Sequence, residues 1–192
     1  QTPAYNGSIT REKAGTEDGE KAGTYKIQKG TLSLKNGTNG FIATNYIMDF
    51  KEGTLTIGKN TFTDNPDITI TIKDGQDVYT YDGTEKRPEI IVKDGTKELV
   101  EGTDYIVTYE NNKNAGTETT KPTIIITGKG NYEGEKTKEF TINPKELTVT
   151  ADNKNKTYGQ IDPALTYTAS GMVGSQTPAY NGSITREKAG TE

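Results

Sequence analysis

The sequence predicts an all-β protein made of tandem β-sandwich domains, one of them intact and one divided between the two ends of the chain. Three observations support this fold class. Short segments in which apolar and polar residues alternate recur along the chain. Turn residues, above all Gly, Asn and Asp, separate these segments at intervals of about 8 to 12 residues. Residues 1–17 are identical to residues 176–192, as expected for a window of a tandem array.

The composition fits two small cores better than one large core, because only 29% of the 192 residues are hydrophobic and the mean hydropathy is -0.81. The 23 basic and 27 acidic residues nearly cancel, which makes nucleic acid an unexpected partner. The chain has no His and no Cys, so zinc, copper and haem sites and His-dependent catalytic triads are excluded. We therefore expect no enzyme, no catalytic residue, no cofactor and no metal.

In the first segment, residues 4–10 are predicted to form a short strand and residues 11–22 a loop. Strands follow over 24–28, with Tyr25 and Ile27 on one face, and over 31–34. Asn36-Gly37 and Asn39-Gly40 supply turn chemistry. Residues 46–50 and 54–57 are predicted to form a hairpin about Glu52-Gly53, with Tyr46, Met48 and Phe50 facing inward.

The rest of the chain shows the same pattern, and no stretch keeps a helical period over three turns. Residues 58–65 connect to the middle segment, and Asn143-Pro144 ends it, since Pro cannot donate to a central ladder. The final segment holds two strands. The predicted strands are 68–72, 78–81, 88–93, 105–109, 123–127, 139–142, 147–151 and 165–169.

Three segments result: 1–59 as the C-terminal part of one domain, 60–144 as a complete domain, and 145–192 as the N-terminal part of the next. Residues 145–175 followed by 1–59 make 90 residues, close to the 85 of the middle segment. Both are usual sizes for immunoglobulin-like domains. A β-grasp variant stays open for the divided domain. No apolar run approaches 18 residues, so direct membrane insertion is not expected.

A series of motifs covers nearly the whole middle segment. They are Tyr79-Thr80-Tyr81-Asp82-Gly83-Thr84, Pro88, Gly102-Thr103-Asp104-Tyr105, Tyr109, Asn111-Asn112-Lys113-Asn114-Ala115-Gly116-Thr117, Gly128-Lys129-Gly130-Asn131-Tyr132-Glu133-Gly134 and Phe140-Thr141-Ile142. With these motifs, in the order of that family, the segment resembles the YDG-type repeat of bacterial surface proteins.

The divided domain carries a second set of motifs. They are Leu147-Thr148-Val149-Thr150-Ala151, Thr157-Tyr158-Gly159, Asp162-Pro163, Leu165-Thr166-Tyr167, Ile9-Thr10-Arg11, Gly23-Thr24-Tyr25-Lys26-Ile27 and Gly53-Thr54-Leu55-Thr56-Ile57. With these motifs the divided domain resembles the MBG repeat of the YGX type, in permuted order, because the match begins near residue 147 and finishes near residue 57. Both resemblances imply long arrays in extracellular, cell-surface, adhesin-like bacterial proteins.

Two loops of the middle segment are candidate binding sites, since sandwiches carry recognition on loops. They contain Asn111, Asn112 and Asn114 in one loop and Asn131 and Tyr132 in the other. Their ligand would be a host glycan or a host protein. The tyrosines of the segment are also candidates for an aromatic platform, although packing in the core is the plainer interpretation, because Tyr105 and Tyr109 share a face with Val107.

A covalent cross-link is a further hypothesis. Surface sandwiches of Gram-positive bacteria can join a Lys of the first strand to an Asn of the last, and Lys73 and Asn143 lie in similar places in this sequence. Such a bond would stabilise a stalk by cross-linking, whereas the simpler interpretation is an exposed Lys and a strand-ending Asn.

Calcium is the remaining metal to consider. Its candidate ligands match no compact calcium loop, and turn aspartates usually bind the backbone. They are Asp67, Asp74, Asp77, Asp82, Asp94 and Asp104.

The predicted function is a non-enzymatic structural repeat of a bacterial surface stalk or fibre, in which each domain contacts its neighbours. The partners are then neighbouring repeats, within one chain or head-to-tail between chains. A glycan-binding or host-protein-binding adhesin module is the alternative.

Overall fold

The structure, a computed structural model, describes residues 1–187. Within them the chain forms seventeen β-strands and three 3-10 helices of three or four residues, so the predicted all-β class is confirmed. The strands are β1 (Thr2–Asn6), β2 (Thr10–Arg11), β3 (Gly23–Gln28), β4 (Ser33–Thr38), β5 (Gly53–Ile57), β6 (Asn60–Thr61), β7 (Ile68–Ile72), β8 (Val78–Thr80), β9 (Ile90–Asp94), β10 (Lys97–Glu98), β11 (Tyr105–Glu110), β12 (Thr123–Gly128), β13 (Tyr132–Glu133), β14 (Glu135–Glu139), β15 (Thr141–Asn143), β16 (Thr148–Ala151) and β17 (Tyr167–Ser170).

The 3-10 helices are Glu17–Glu20, Ala43–Asn45 and Lys73–Gly75. Thr16 caps the first of them, because its hydroxyl accepts a hydrogen bond from the Gly19 amide at 3.2 Å. None of the helices among residues 1–187 is long and apolar enough to cross a membrane.

The strands form three three-stranded sheets and four two-stranded ones. The larger sheets have the orders β2-β3-β5, β10-β9-β7 and β11-β12-β14, and the pairs are β1-β4, β16-β17, β13-β6 and β15-β8. The last two pairs are parallel, so each joins strands that are distant in sequence. The two three-stranded sheets from the middle of the chain fit the predicted β-sandwich, while the immunoglobulin-like strand order stays a prediction.

Alternation of apolar residues accounts for the buried faces of these sheets. Ile124 and Ile126 of β12 are fully buried, and Ile68 and Ile72 at the two ends of β7 are also buried. Side chains at positions i and i+2 of a strand share a face, so such spacing produces one apolar face. Burial of one such side chain contributes about 1.5 to 3 kcal/mol.

The chain forms two compact units. The first comprises residues 1–69, 92–107 and 126–136, and the second comprises 70–91, 108–125 and 137–192. The boundaries predicted after residues 59 and 144 stay predictions. The buried apolar side chains of the first unit are Tyr25, Phe41, Phe62, Ile68, Val92, Leu99, Tyr105, Ile126 and Tyr132, and those of the second are Ile72, Ile124, Phe140 and Ile142.

The hairpin predicted from residues 46–50 and 54–57 is wrong. Residues 46–50 form no strand, and β5 pairs antiparallel with β3, so that Leu55 lies opposite Tyr25. Tyr46 is 46% exposed and stacks on Phe41, with ring centroids 4.7 Å apart. The turn predicted at Asn36-Gly37 is also wrong, since β4 continues to Thr38. A sheet partner distant in sequence outweighs the local pattern at both places.

The repeated stretch has two different structures. In its first copy, residues 1–17, β1 pairs with β4 and β2 pairs with β3. In its second copy, residues 176–187 contain no strand. The last five residues of that copy, 188–192, lie outside the described residues. The second copy follows an antiparallel hairpin of β16 and β17, which spans Thr148 to Ser170.

Candidate functional site

The joint after the middle segment is built from the end of one strand and the start of the next segment. In the second unit β15 pairs with β8, and the Tyr81 amide donates to the Asn143 carbonyl at 2.9 Å. The Tyr81 hydroxyl accepts a hydrogen bond from the Gln176 side chain at 2.8 Å. A tyrosine of the predicted YDG-type segment therefore holds the first residue of the second copy.

Apolar contacts reinforce this joint. An open groove of about 400 Å³ lies here. A Cβ atom at Gly83 would lie 2.8 Å from Cγ1 of Val173, so the glycine lets the valine approach the backbone. Gly83 has φ +81, a conformation that also favours glycine. The joint is thus a packed contact. The residues that line its groove are Tyr81, Lys145, Leu147, Gly171, Met172, Val173, Gln176, Thr177 and Pro178.

A second joint lies in the first unit, where the first segment meets the predicted middle segment. The Ala22 amide donates to Oδ1 of Asn131 at 2.9 Å, and the Asn60 amide donates to the Asn131 carbonyl at 2.9 Å. Asn131, predicted as a binding residue, thus uses its side chain within the protein. It links two segments that the sequence analysis assigns to different domains.

Tyr132, the other predicted residue of that loop, lies in the core with 5% exposure. Its hydroxyl donates to Oδ2 of Asp94 at 3.1 Å, and its ring lies 5.4 Å from that of Phe62. Burial raises the pKa of Tyr132 above its ordinary value. A buried ring of this kind packs rather than recognises a ligand.

The other predicted binding loop belongs to the second unit, and there the structure brings Asn111, Asn112 and Asn114 together. They line an open groove of about 370 Å³ with Lys113 and Thr120. Two of the three amides hold the loop itself: that of Asn111 donates to the Lys121 carbonyl at 3.3 Å, and that of Asn112 donates to the Lys86 carbonyl at 2.9 Å.

Lys86 was not among the residues predicted from the sequence, and its side chain is only 11% exposed. Its ammonium donates to Asp82 at 2.5 Å and lies 5.9 Å from the centre of the Tyr79 ring. Hydrogen bonds from Lys86 and Thr84 hold the pKa of Asp82 well below its usual range. The Tyr-Asp-Gly-Thr motif is therefore a structural turn. The sequence signal that could have identified Lys86 is a Lys four residues after an Asp in a turn.

The proposed cross-linking residues have other partners. Lys73 forms an ion pair with Glu89 at 3.0 Å, and hydrogen bonding to this carboxylate raises the Lys73 pKa. Asn143 ends β15 opposite Thr80. Lys73 is thus paired with Glu89 in this structure, and a cross-link to Asn143 stays a prediction.

Two of the aspartates considered as calcium ligands accept hydrogen bonds from groups within the protein. Asp104 is 8% exposed, and its carboxylate accepts a hydrogen bond from the Val100 amide at 3.0 Å. Asp94 accepts one from the side chain of Asn60 at 3.0 Å. Across residues 1–187 there is no group of three or more His, Cys, Asp or Glu residues that could hold a metal ion.

Comparison with known proteins gives one match. Residues 147–191 match the family model of the MBG domain (YGX type), which confirms the resemblance predicted for this part of the chain. Neither the curated proteins nor the solved structures contain a match. The matched range includes β16, β17 and residues 176–191 of the second copy of the repeated stretch.

Proposed function

We propose that this chain is a non-enzymatic structural repeat of a bacterial surface stalk or fibre, located outside the cell. The observation that carries the proposal is the packed joint at Tyr81, Gly83, Val173 and Gln176. A stalk must keep its two ends apart. Neighbouring domains must therefore be held in place by contacts between them as well as by the covalent chain. The match of residues 147–191 to the MBG domain supports a repeat.

The first experiment tests the stiffness of the joint. The chain has no Cys, so thiols introduced by Glu85→Cys and Thr168→Cys are the only sites for paired spin labels. We expect a narrow distance distribution, which Val173→Ser broadens because it removes the apolar contact with Gly83. Val149→Ser changes an exposed valine outside the joint and is the matched control. A broad distribution in the unsubstituted protein would contradict a packed joint.

The second experiment tests the stalk itself. Chains with increasing numbers of the 175-residue period are imaged by electron microscopy, and their contour length is measured. If each repeat contacts mainly its neighbours, contour length grows linearly with the number of periods. Compact particles whose length does not increase with period number would overturn the proposal.

Recognition of a glycan or host protein is a second candidate, favoured by the grouping of three asparagines around one groove. Asn114 is exposed and is the best residue to change. Under this alternative the chain binds a glycan array saturably and Asn114→Ala removes the binding. Equal signals from the chain and the variant would count against it.

A further inference from the structure

The last strand of the middle segment forms a parallel pair with an early strand of the same segment. In the second unit β15 runs beside β8, with Ile142 opposite Tyr79 at the centre of the ladder. Residues 81–140 lie between the two strands in the sequence. The chain therefore enters this ladder at the N-terminal end of β8 and leaves it at the C-terminal end of β15. In a parallel pair these are opposite ends of the ladder.

Backbone hydrogen bonds close both ends of the β8-β15 ladder. At one end the Thr141 amide donates to the Asp77 carbonyl at 2.8 Å, and at the other the Tyr81 amide donates to the Asn143 carbonyl at 2.9 Å. Tension that pulls β8 toward the N terminus and β15 toward the C terminus slides the strands past each other, so these bonds must stretch together. Tension applied to both strands at one end would instead break the bonds one after another.

Buried side chains oppose the same sliding movement. Ile142 is 2% exposed, and Phe140, which precedes β15, is 5% exposed. The Tyr79 ring packs edge-on against the Phe140 ring, with centroids 5.9 Å apart. Movement of β15 along its own axis would take these apolar side chains out of the core, which costs free energy in proportion to the area that becomes exposed.

The chain that follows β8 is fixed to the second unit as well. The Lys86 amide donates to the Asn112 carbonyl at 2.6 Å, and the side-chain amide of Asn112 donates back to the Lys86 carbonyl at 2.9 Å. The ion pair between Lys86 and Asp82 holds the turn between these bonds and β8. Both strands of the ladder are therefore attached to the rest of the second unit as well as to each other.

We propose that the β8-β15 pair is a mechanical clamp, which keeps the middle segment folded when tension runs along the chain. The inference rests on the proposed stalk function, because a stalk carries along its length the forces that act on its end. While the pair holds, tension passes directly from β8 to β15 and bypasses residues 81–140. The chain has no Cys, so this resistance comes from backbone hydrogen bonds and apolar packing and not from a disulfide.

Single-molecule force spectroscopy of the full chain compares two directions of pulling, with handles attached at pairs of introduced thiols. Gln76→Cys with Lys145→Cys loads the ladder from opposite ends, and Glu85→Cys with Lys145→Cys loads it from one end. The event is identified by the length of chain that it releases. At one loading rate we expect the opposite-end pair to unfold at about twice the force of the one-end pair, or more, because forced unfolding follows the barrier to rupture. Equal forces in the two directions would overturn the proposal.

Proline substitutions test the ladder itself. Thr141→Pro removes the amide that donates to Asp77 and should lower the opposite-end unfolding force by roughly a third, because one of the bonds that stretch together is lost. Thr80→Pro is the matched control. The Tyr81 amide donates to β15, so the amide of Thr80 is directed away from β15, since alternate residues of a strand face a given neighbour. Both threonines are exposed, and Thr80→Pro should leave the force nearly unchanged.

Urea denaturation of the two proline variants separates the clamp from general stability. Equal unfolding forces in variants with equal free energies of unfolding, or a lower force in Thr80→Pro than in Thr141→Pro, would overturn the proposal. The comparison of pulling directions uses the unsubstituted ladder, so it decides the question even if Thr141→Pro does not fold. The stalk proposal would survive a failure of the clamp, because the contour length of arrays is measured without unfolding them.

Discussion

One sequence with two structures is the clearest comparison in this molecule. Residues 2–11 form β1 and β2 and pair with β4 and β3, whereas residues 177–186 form no strand. Local propensity is the same in both, because the residues are the same. The difference must come from what surrounds them, because within residues 1–187 the first copy lies beside strands with free backbone hydrogen-bonding groups and the second copy does not.

Exposure of side chains does not distinguish the two copies, which sharpens this conclusion. Tyr5 is 50% exposed and Tyr180 is 40% exposed, and Tyr180 packs edge-on against Tyr167 with ring centroids 4.9 Å apart. Ile9 and Ile184 are 53% and 38% exposed. The second copy thus makes apolar contacts without pairing its backbone to a neighbouring strand. Pairing of the backbone decides which copy becomes a strand.

The largest expected difference between the copies is that between Gly7→Ala and Gly182→Ala. A Cβ at Gly7, where φ is +75, would lie 2.3 Å from the Thr31 carbonyl oxygen, so the first change should destabilise by about 3 kcal/mol. A Cβ at Gly182, where φ is +87, would meet nothing within 4 Å, so the second change has only the cost of the left-handed conformation, about 1 kcal/mol. Urea denaturation at low concentration, followed by NMR signals of each unit, measures both. Equal losses would show that the first copy is not packed as described.

Arg11→Ala should have the next largest effect. It removes a charged hydrogen bond to the Gly19 carbonyl and a cation–π contact with Tyr25, and should destabilise by about 2 kcal/mol. Arg186→Ala, its equivalent, breaks exposed contacts and should cost much less. The same denaturation experiment compares them, with Arg→Lys at each site as the control for charge. A larger effect at Arg186 would reverse the comparison.

The smallest expected effect concerns pH. Hydrogen bonds from Arg186 and then Lys156 lower the pKa of Asp162, so their stabilisation is complete above the ordinary aspartate pKa of about 3.9. It is lost as the pH falls through the lowered pKa. In the first copy Arg11 also bonds to a carbonyl, which does not titrate. Acid should therefore loosen the second copy first.

NMR titration of the Asp162 carboxyl carbon measures this effect. Arg186→Ala should raise the observed pKa toward the ordinary value, and Lys156→Ala should raise it less, because the arginine is the larger cause. If Arg186→Ala leaves the pKa of Asp162 unchanged, the Arg186–Asp162 pair does not distinguish the second copy from the first.

Alternation predicted the strands that have enough residues to show it. β3, β7, β11 and β12 lie within a few residues of their predicted bounds. Strands β6, β10 and β13 contain two residues each, too few for any period, and β14 is a run of Glu, Lys and Thr. The hairpin predicted from residues 46–50 and 54–57 failed for another reason. Apolar residues do alternate over 46–50, but β5 pairs with β3 instead of with that stretch.

The candidate site was predicted in part. The loop of Asn111, Asn112 and Asn114 does form one surface, because the three residues are close in sequence. The hydrogen bond of Asn131 to Ala22 joins residues 109 positions apart, which no local pattern encodes. Lys86 was not predicted for a similar reason. A Lys in a polar stretch is expected to be exposed, and only the tertiary structure places its ammonium near the Tyr79 ring.

The sequence by itself determined the all-β class, most of the longer strands, and the identity of residues 1–17 with 176–192. Those properties are local, because alternation and turn residues act over a few neighbours. Only the tertiary structure decided which copy of the repeated stretch becomes a strand, and how Val173 packs at Gly83. A strand needs a partner, and the partners of these strands lie far away along the chain.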